Sequence, residues 1–284
     1  ELKEGEVVTV RQLLYGLMIL SGNDAAYSLA EVVSNGNVDE FVKMMNDEAK
    51  ALGCKDTNFV NTNGLPVDNH YTSAHDIAIM SRELLKHNVI SKYLTTWMDQ
   101  VVVGKKQITV GLANTNKLIK HYQGATGVKT GFTQQAKYCL SASAKRGDTH
   151  LVAVTLGAET SPERFKDATS LLNFGFANYE SVKLCSKNDN IATLTLDKAD
   201  EQKINLVAKE DLSVLIKKGG NKDFTRKIKV NENPTIPIKK GTNLGYVEIY
   251  QGKTLVGKVD LVNTKDIQKA SYLKMLQRVI DEML

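Results

Sequence analysis

Two short polar motifs contain the side chains best suited to chemistry in this sequence. Ser-Gly-Asn occupies residues 21–23, at the junction of two helical patterns, and Lys-Thr-Gly occupies residues 129–131, after the glycine-rich stretch 124–128. A hydroxyl can both donate and accept a proton, and an ammonium supplies positive charge beside it. Each tripeptide alone is usually only a helix cap or the end of a strand. Their occurrence together is more specific than either one.

In this order and rough separation, the motifs resemble the second and third elements of the Ser-x-x-Lys, Ser-Asp-Asn and Lys-Thr-Gly set of penicillin-binding proteins and class A β-lactamases. The chain is most similar to serine-type D-alanyl-D-alanine carboxypeptidases, the low-molecular-mass penicillin-binding proteins. The stretches that carry this resemblance are residues 21–25, 63–65, 71–76 and 127–133, with the β-rich sequence after residue 180. The resemblance implies removal of the terminal D-alanine from peptidoglycan stem peptides through an acyl-enzyme, with β-lactam antibiotics as covalent inhibitors.

The resemblance also implies a role for each polar motif residue. Ser21 would relay a proton toward the departing D-alanine, and Asn23 would hold a substrate amide and a neighbouring lysine. Lys129 would supply positive potential near the terminal carboxylate and support Ser21 in proton transfer. Thr130 would offer the same carboxylate a hydroxyl.

Three further residues are expected to contact the substrate. Gly131 lacks a Cβ, so a substrate backbone could lie against this strand as an added strand. By resemblance, the backbone N–H of Phe132 would form one half of an oxyanion hole. Arg164 falls where the family places an arginine that pairs with the terminal carboxylate, and the alternative is a solvated surface arginine. Asn63 stands where some relatives have histidine, so we assign that loop no role.

The nucleophile motif is expected before Ser21, and the chain starts too late to contain it. The sequence Ser-Tyr-Leu-Lys at residues 271–274 matches the pattern, but helical spacing turns Ser271 and Lys274 away from the apolar face of the last segment. We therefore interpret Ser271 and Lys274 as an exposed pair whose match to the motif is a coincidence. We expect an additional N-terminal segment that carries the serine nucleophile and the lysine base, and we expect this chain alone to be inactive.

Composition limits the number of domains and the classes of ligand that the protein could bind. The 284 residues are 42% hydrophobic, enough for one or two domains, and the net charge of +5 is spread along the chain without a basic stripe, which argues against nucleic-acid binding. The three cysteines, interpreted as small buried residues, and the five histidines lack metal-ligand spacing, so no metal or cofactor is expected. The resemblance implies an extracytoplasmic protein of the bacterial envelope, made as a secreted precursor and acting at the outer face of the cytoplasmic membrane.

The hydrophobic pattern predicts an α+β catalytic domain at residues 1–180, lacking its N-terminal part. Helical spacing dominates to about residue 95, with Leu20 placed on the buried face of the first helix. By resemblance this is the penicillin-binding and β-lactamase-like transpeptidase fold, a helical cluster on an antiparallel sheet. Strands are predicted at residues 100–103, 107–110, 138–144 and 150–156, and a helix at 161–178.

Short alternating runs predict a small all-β domain at residues 181–263, and helical spacing predicts an amphipathic helix at 264–284. That helix fits a membrane-surface anchor whose Lys274 and Arg278 would meet anionic headgroups, or a helix packed on the β-domain or on another chain.

Two other functions compete with the carboxypeptidase. A class A β-lactamase is disfavoured by the Ser-Gly-Asn variant, by the lack of a recognisable Glu-x-x-x-Asn loop and by the extra β-domain. A non-catalytic protein that keeps the fold and binds cell wall or a partner remains open.

Overall fold

The structure is a computed structural model that describes residues 2–3, 5–103 and 108–283. It divides into two compact units, Glu1–Ala177 and Asn178–Leu284. The elements that begin in the first unit are, in chain order, α1 (Val10–Leu20), α2 (Asn23–Val33), α3 (Val38–Ala51), α4 (Ala74–Leu84), α5 (Asn88–Thr95), β1 (Met98–Val103), β2 (Ile108–Ala113), α6 (Leu118–His121), β3 (Ala125–Thr133), β4 (Lys137–Arg146), β5 (Thr149–Ala158) and α7 (Ser161–Asn178).

Helix α1 begins with a capping box. The Thr9 side chain accepts from the Gln12 backbone N–H, and the Gln12 side chain accepts from the Thr9 backbone N–H. Leu13 and Ile19 are buried, whereas Leu20 is exposed, so its predicted place in the core was wrong. The reason is local, because Leu20 is the last residue of α1 and the chain turns away immediately after it.

A three-stranded antiparallel sheet, with the order β3-β4-β5, carries the Lys-Thr-Gly motif. Helix α7 packs on it through a core that also includes residues of α6, and buried members of this core are Leu118, Leu140, Ala142, Ala144, Ala153, Ala168, Leu172 and Phe176. The buried hydroxyls of Ser81 in α4 and Ser141 in β4 lie 2.7 Å apart. Among the described strands of this sheet β3 lies at an edge, so one side of its backbone is not paired with β4.

The second unit is built almost entirely from strands. Its elements are β6 (Tyr179–Cys185), β7 (Asn190–Thr195), β8 (Lys203–Ala208), β9 (Leu212–Lys217), β10 (Phe224–Val230), β11 (Asn243–Gln251), β12 (Thr254–Asn263) and α8 (Tyr272–Met283). The sheet β10-β11-β12-β8-β7 and the pair β6-β9 enclose a core of leucine, isoleucine and valine side chains. The predicted α+β fold followed by an all-β domain is confirmed. No helix among the described residues is long and apolar enough to span a membrane.

The structure corrects the start of one predicted element. The last helix begins at Tyr272 rather than at 264, because Ile267 and Lys269 form β-bridges with Ile238 and Ala199. A backbone that pairs with neighbouring strands cannot also form helical hydrogen bonds. The strand predicted at 107–110 is β2, whose described part begins at residue 108; residue 107 and the end of the predicted terminal helix, residue 284, lie outside the described residues.

Candidate active site

The two polar motifs meet in the first unit. The Lys129 Nζ donates to the Ser21 Oγ at 2.5 Å and to the backbone oxygen of Thr130 at 3.0 Å. The end of α1 and the middle of β3 therefore place a hydroxyl and an ammonium in direct contact.

Ser21 is held in an uncommon backbone conformation. It follows the last residue of α1 with φ at 62°, the left-handed region, which few residues other than glycine adopt. Its N–H bonds the carbonyl of Leu17 at 3.1 Å, and the N–H of Gly22 bonds the carbonyl of Gly16 at 3.0 Å. This turn ends one helix and starts the next within two residues, so the Ser21 hydroxyl is fixed at the junction where Lys129 reaches it.

The ammonium of Lys129 is acidic for a lysine. Burial is the main cause and the nearby positive charge of Arg164 adds to it, and together they lower the pKa of Lys129 to about 8. An ammonium with this pKa gives up its proton more readily than an exposed lysine does. The contact with Ser21 can therefore carry a proton from nitrogen to oxygen when Ser21 donates its own proton onward.

Asn23 is the first residue of α2 and lies on the surface. The described residues offer its side chain no hydrogen-bond partner, so the contact to a lysine expected from the sequence stays a prediction.

Strand β3 presents Thr130, Gly131 and Phe132 in succession. Thr130 is buried, and its Oγ lies 2.6 Å from the Oγ of Thr115, a residue that the sequence patterns did not single out. A Cβ added to Gly131 would lie 3.8 Å from the Cβ of Cys139, an ordinary contact, so the chain itself does not require glycine there. Phe132 is exposed, and its ring centroid lies 4.4 Å from that of Tyr138.

Arg164 is only 8% exposed, so the alternative of a solvated surface arginine does not describe it. Its Nη1 donates to the carbonyls of Gly131 and Cys139 at 3.1 and 3.2 Å. The guanidinium also lies over the rings of Tyr138 and Phe165, at 5.3 and 4.9 Å from their centroids. Arg164 thus joins β3 to β4 at the motif and brings positive charge toward Lys129.

The remaining polar candidates have local roles. In the second unit, the Ser271 Oγ accepts from the Lys274 backbone N–H, and the Lys274 Nζ pairs with Asp200, so this serine and lysine are engaged separately. The Asn63 side chain accepts from the Leu65 N–H within its own loop.

The cysteines only partly match their interpretation as buried residues, because Cys185 is buried whereas Cys54 and Cys139 are half-buried.

Comparison with known proteins assigns both units. Residues 1–160 match the family D-alanyl-D-alanine carboxypeptidase, and residues 179–269 match the C-terminal domain of penicillin-binding protein 5. The chain is 40% identical to D-alanyl-D-alanine carboxypeptidase DacF of Bacillus subtilis, over 99% of this chain and 72% of that protein. It is 31% identical to DacC of Escherichia coli, over 95% of this chain and 67% of that protein.

Solved structures of similar fold include a penicillin-binding protein and a DD-transpeptidase. Penicillin-binding protein 5 from Haemophilus influenzae superposes with a TM-score of 0.68 at 30% identity, covering 92% of this chain and 75% of that one. The Streptomyces K15 DD-transpeptidase superposes with a TM-score of 0.59 at 36% identity, covering 62% of this chain and 71% of that one. The chain belongs to the D-alanyl-D-alanine carboxypeptidase family.

Proposed function

We propose that this protein is a serine-type D-alanyl-D-alanine carboxypeptidase that removes the terminal D-alanine from peptidoglycan stem peptides. The observation that carries the proposal is the 2.5 Å contact between the Lys129 Nζ and the Ser21 Oγ, which joins the two motifs into one site. Family membership supports the same reaction.

In this proposal the substrate lies along the open edge of β3 as an added strand. Its terminal carboxylate accepts from the Thr130 hydroxyl, and the positive charges of Lys129 and Arg164 favour an anion at this place. Gly131 leaves room for the substrate backbone, and the Phe132 N–H is proposed to contribute to the oxyanion hole. Asn23 binds a substrate amide from the opposite side.

Proton transfer to the leaving group follows from the same contacts. The Lys129 ammonium donates to the Ser21 oxygen, and Ser21 donates its own hydrogen to the nitrogen of the departing D-alanine. The carbonyl carbon passes to a serine nucleophile, and water then hydrolyses the acyl-enzyme. No residue of 1–284 is assigned the role of this nucleophile or of its lysine base.

The test is covalent labelling of the full-length protein with fluorescent penicillin, together with release of D-alanine from an acyl-D-alanyl-D-alanine peptide. We expect both activities, and we expect Ser21→Ala to lower peptide hydrolysis by about a hundredfold. The matched control is Ser34→Ala, since Ser34 only caps α2 by bonding the Ala30 carbonyl.

The outcomes separate the competing functions. Absence of both a covalent adduct and D-alanine release would favour the non-catalytic binding protein. Faster turnover of penicillin than of the peptide would favour the β-lactamase.

We also propose that the protein works outside the cytoplasmic membrane and rests on its surface through α8. Exposed apolar side chains support this, because Tyr272 and Leu273 are 80% and 76% exposed and Val279 is also exposed. The two cations expected to meet headgroups have other partners, since Lys274 pairs with Asp200 and Arg278 bonds backbone carbonyls. Apolar contact rather than these charges should therefore carry the binding.

Co-sedimentation with anionic and with neutral vesicles tests the membrane proposal. The full-length protein should bind both kinds of vesicle, and a form without residues 272–284 should bind neither. Equal binding by the two forms would remove α8 as the anchor.

A further inference from the structure

The hydroxyl of Thr115 lies beside the Lys-Thr-Gly motif without belonging to it. Thr115 is an exposed residue between β2 and α6, and its Oγ lies 2.6 Å from the Oγ of Thr130. This separation is at the short end for two hydroxyls, so the pair forms a close hydrogen bond. Its neighbour Thr130 is the hydroxyl assigned to the substrate carboxylate.

Two buried asparagines fix the position of Thr115. The Asn114 Nδ2 donates to the carbonyl of Thr96 at 2.9 Å, and the Asn114 Oδ1 accepts from the N–H of Asn116 at 2.8 Å. The Asn116 Oδ1 in turn accepts from the N–H of Leu118 at 3.1 Å. Side chains on both sides of Thr115 thus tie the loop to the fold, as asparagines do in tight turns.

Counting protons gives the bond a direction. A hydroxyl has a single hydrogen, and a carboxylate can only accept hydrogen bonds. When Thr130 binds a carboxylate, its hydroxyl therefore donates its only hydrogen to the ligand. The bond between the two threonines must then be donated by Thr115. A hydroxyl that accepts one hydrogen bond becomes a better donor of the next.

We propose that Thr115 is a positioning residue that orients the Thr130 hydroxyl toward the free C-terminal carboxylate of the substrate. The proposal rests on the carboxypeptidase function proposed above. It attributes to Thr115 part of the enzyme's preference for substrates with a free C-terminal carboxylate. Thr115 acts through Thr130, so its loss should weaken recognition of the carboxylate and leave the chemistry at the peptide bond unchanged.

The test compares two substrates of the full-length protein, an acyl-D-alanyl-D-alanine peptide and the same peptide with a C-terminal amide. Thr115→Val keeps the shape and removes the hydroxyl, and Thr115→Ser keeps the hydroxyl. We expect the valine variant to raise KM for the free-acid peptide by about tenfold, with kcat little changed, because Thr130 loses the hydrogen bond that orients its hydroxyl toward the charged carboxylate. The amide peptide should be affected less than twofold, and the serine variant should restore the free-acid KM.

Thr95→Val is the matched control, because Thr95 is also exposed and its hydroxyl bonds only the Ser91 carbonyl of its own helix. Thermal melting of each variant shows whether it folds, and Thr115→Ala provides a second hydroxyl-free variant if valine destabilises the loop. Equal losses on both peptides, an unchanged KM in both hydroxyl-free variants, or failure of serine to restore KM would overturn the role of Thr115. An unmodified protein that cleaves neither peptide would overturn the proposed function and this inference with it.

Discussion

Lys129 shows most directly how a single residue serves the site at a cost to the fold. Burial and the charge of Arg164 lower the pKa of Lys129 to about 8, against an ordinary value of 10.5. Below about pH 8 the folded protein therefore holds an ammonium in a place that disfavours it, whereas the unfolded chain solvates it freely. Functional sites commonly contain such destabilising groups.

Replacing this lysine should stabilise the protein. We expect Lys129→Met to raise the free energy of unfolding at pH 7 by about 1 to 3 kcal/mol, from the difference between the two pKa values. The unfolded chain binds the proton between about pH 8 and 10.5 and the folded chain does not, so the penalty fades as pH rises through this window. Urea denaturation followed by the fluorescence of Trp97, the single tryptophan, measures this unit.

Exposed Lys166 on α7 provides the control for that measurement. Lys166→Met should change the free energy of unfolding little, both at pH 7 and at the alkaline end of the window, about pH 10. A Lys129→Met variant that is less stable than the unmodified protein at pH 7 would contradict the assigned environment.

The pH dependence of peptide hydrolysis should reflect the ionisation of Lys129. Both of its proposed roles need the protonated form, so kcat/KM should fall above about pH 8, by about tenfold for each further pH unit. Lys129→Arg should lower activity but remove this decline up to pH 10, because a guanidinium keeps its charge. The measurement is a pH–rate profile for peptide hydrolysis, and an arginine variant with the same alkaline decline would assign it to another group.

Sequence reasoning identified some of these residues and missed others for physical reasons. Ser21 and Lys129 were found because their two motifs occur together in the order and separation typical of the family, and the structure brings them into contact. Thr115 was missed because its approach to Thr130 depends on how two asparagines fold a loop, which no local spacing encodes. The burial of Arg164 was equally invisible, because an arginine in the first turn of a helix is usually solvated.

At the scale of elements, β3 is an edge strand among the described strands of its sheet, and we propose that its outer edge binds the substrate. Sequence patterns predicted the other two strands of its sheet, β4 and β5, within a few residues, because alternating apolar residues and a Gly-Asp turn define a hairpin. They did not locate α5 or α6, which are short and irregular in composition. The start of the terminal helix was predicted less well, because the β-bridges of Ile267 and Lys269 are formed with residues distant in the sequence.

Gly131→Ala separates the needs of the substrate from those of the fold. The added methyl would meet only the Cys139 Cβ at an ordinary distance, so stability should change by less than about 1 kcal/mol. If the substrate backbone lies against β3, kcat/KM should fall about tenfold to a hundredfold. Gly111→Ala on β2 is the control, because a Cβ there would meet no described atom within 4 Å beyond its two chain neighbours. Peptide kinetics and thermal melting check both variants, and full activity in Gly131→Ala would argue against the added strand.

Helix α8 should depend on one arginine for its attachment to the second unit. The Arg278 guanidinium donates to the carbonyls of Asp197, Ala199 and Asp200 at 2.8 to 2.9 Å. Arg278→Gln should therefore speed amide hydrogen exchange in α8 about tenfold or more. Gln277→Ala, which removes only a bond to Asp281 within the helix, should have a smaller effect, and equal exchange in the two variants would show that Arg278 does not hold the helix.

At the scale of the whole molecule, the chain consists of two units with separate cores. The second unit buries its own set of aliphatic side chains, and its sequence matches a domain family of its own. The composition change after about residue 180 could be seen in the sequence, while the structure divides between Ala177 and Asn178. The difference arises because α7 continues to Asn178 and is followed directly by β6.

The second unit should fold by itself. Residues 178–284 expressed alone should unfold cooperatively on heating, followed by far-ultraviolet circular dichroism, because the buried core lies entirely within them. A gradual loss of signal without a cooperative transition would show that the core needs the first unit.

The open edge of β3 should also affect how readily the protein aggregates. A backbone edge that accepts a peptide substrate can accept any extended chain, including one from a second, partly unfolded molecule. Natural sheets usually protect such edges, yet a catalyst that binds its substrate by strand addition must leave this one accessible. Occupancy by a slowly released β-lactam should therefore slow aggregation of the full-length protein during storage, independently of any gain in thermal stability.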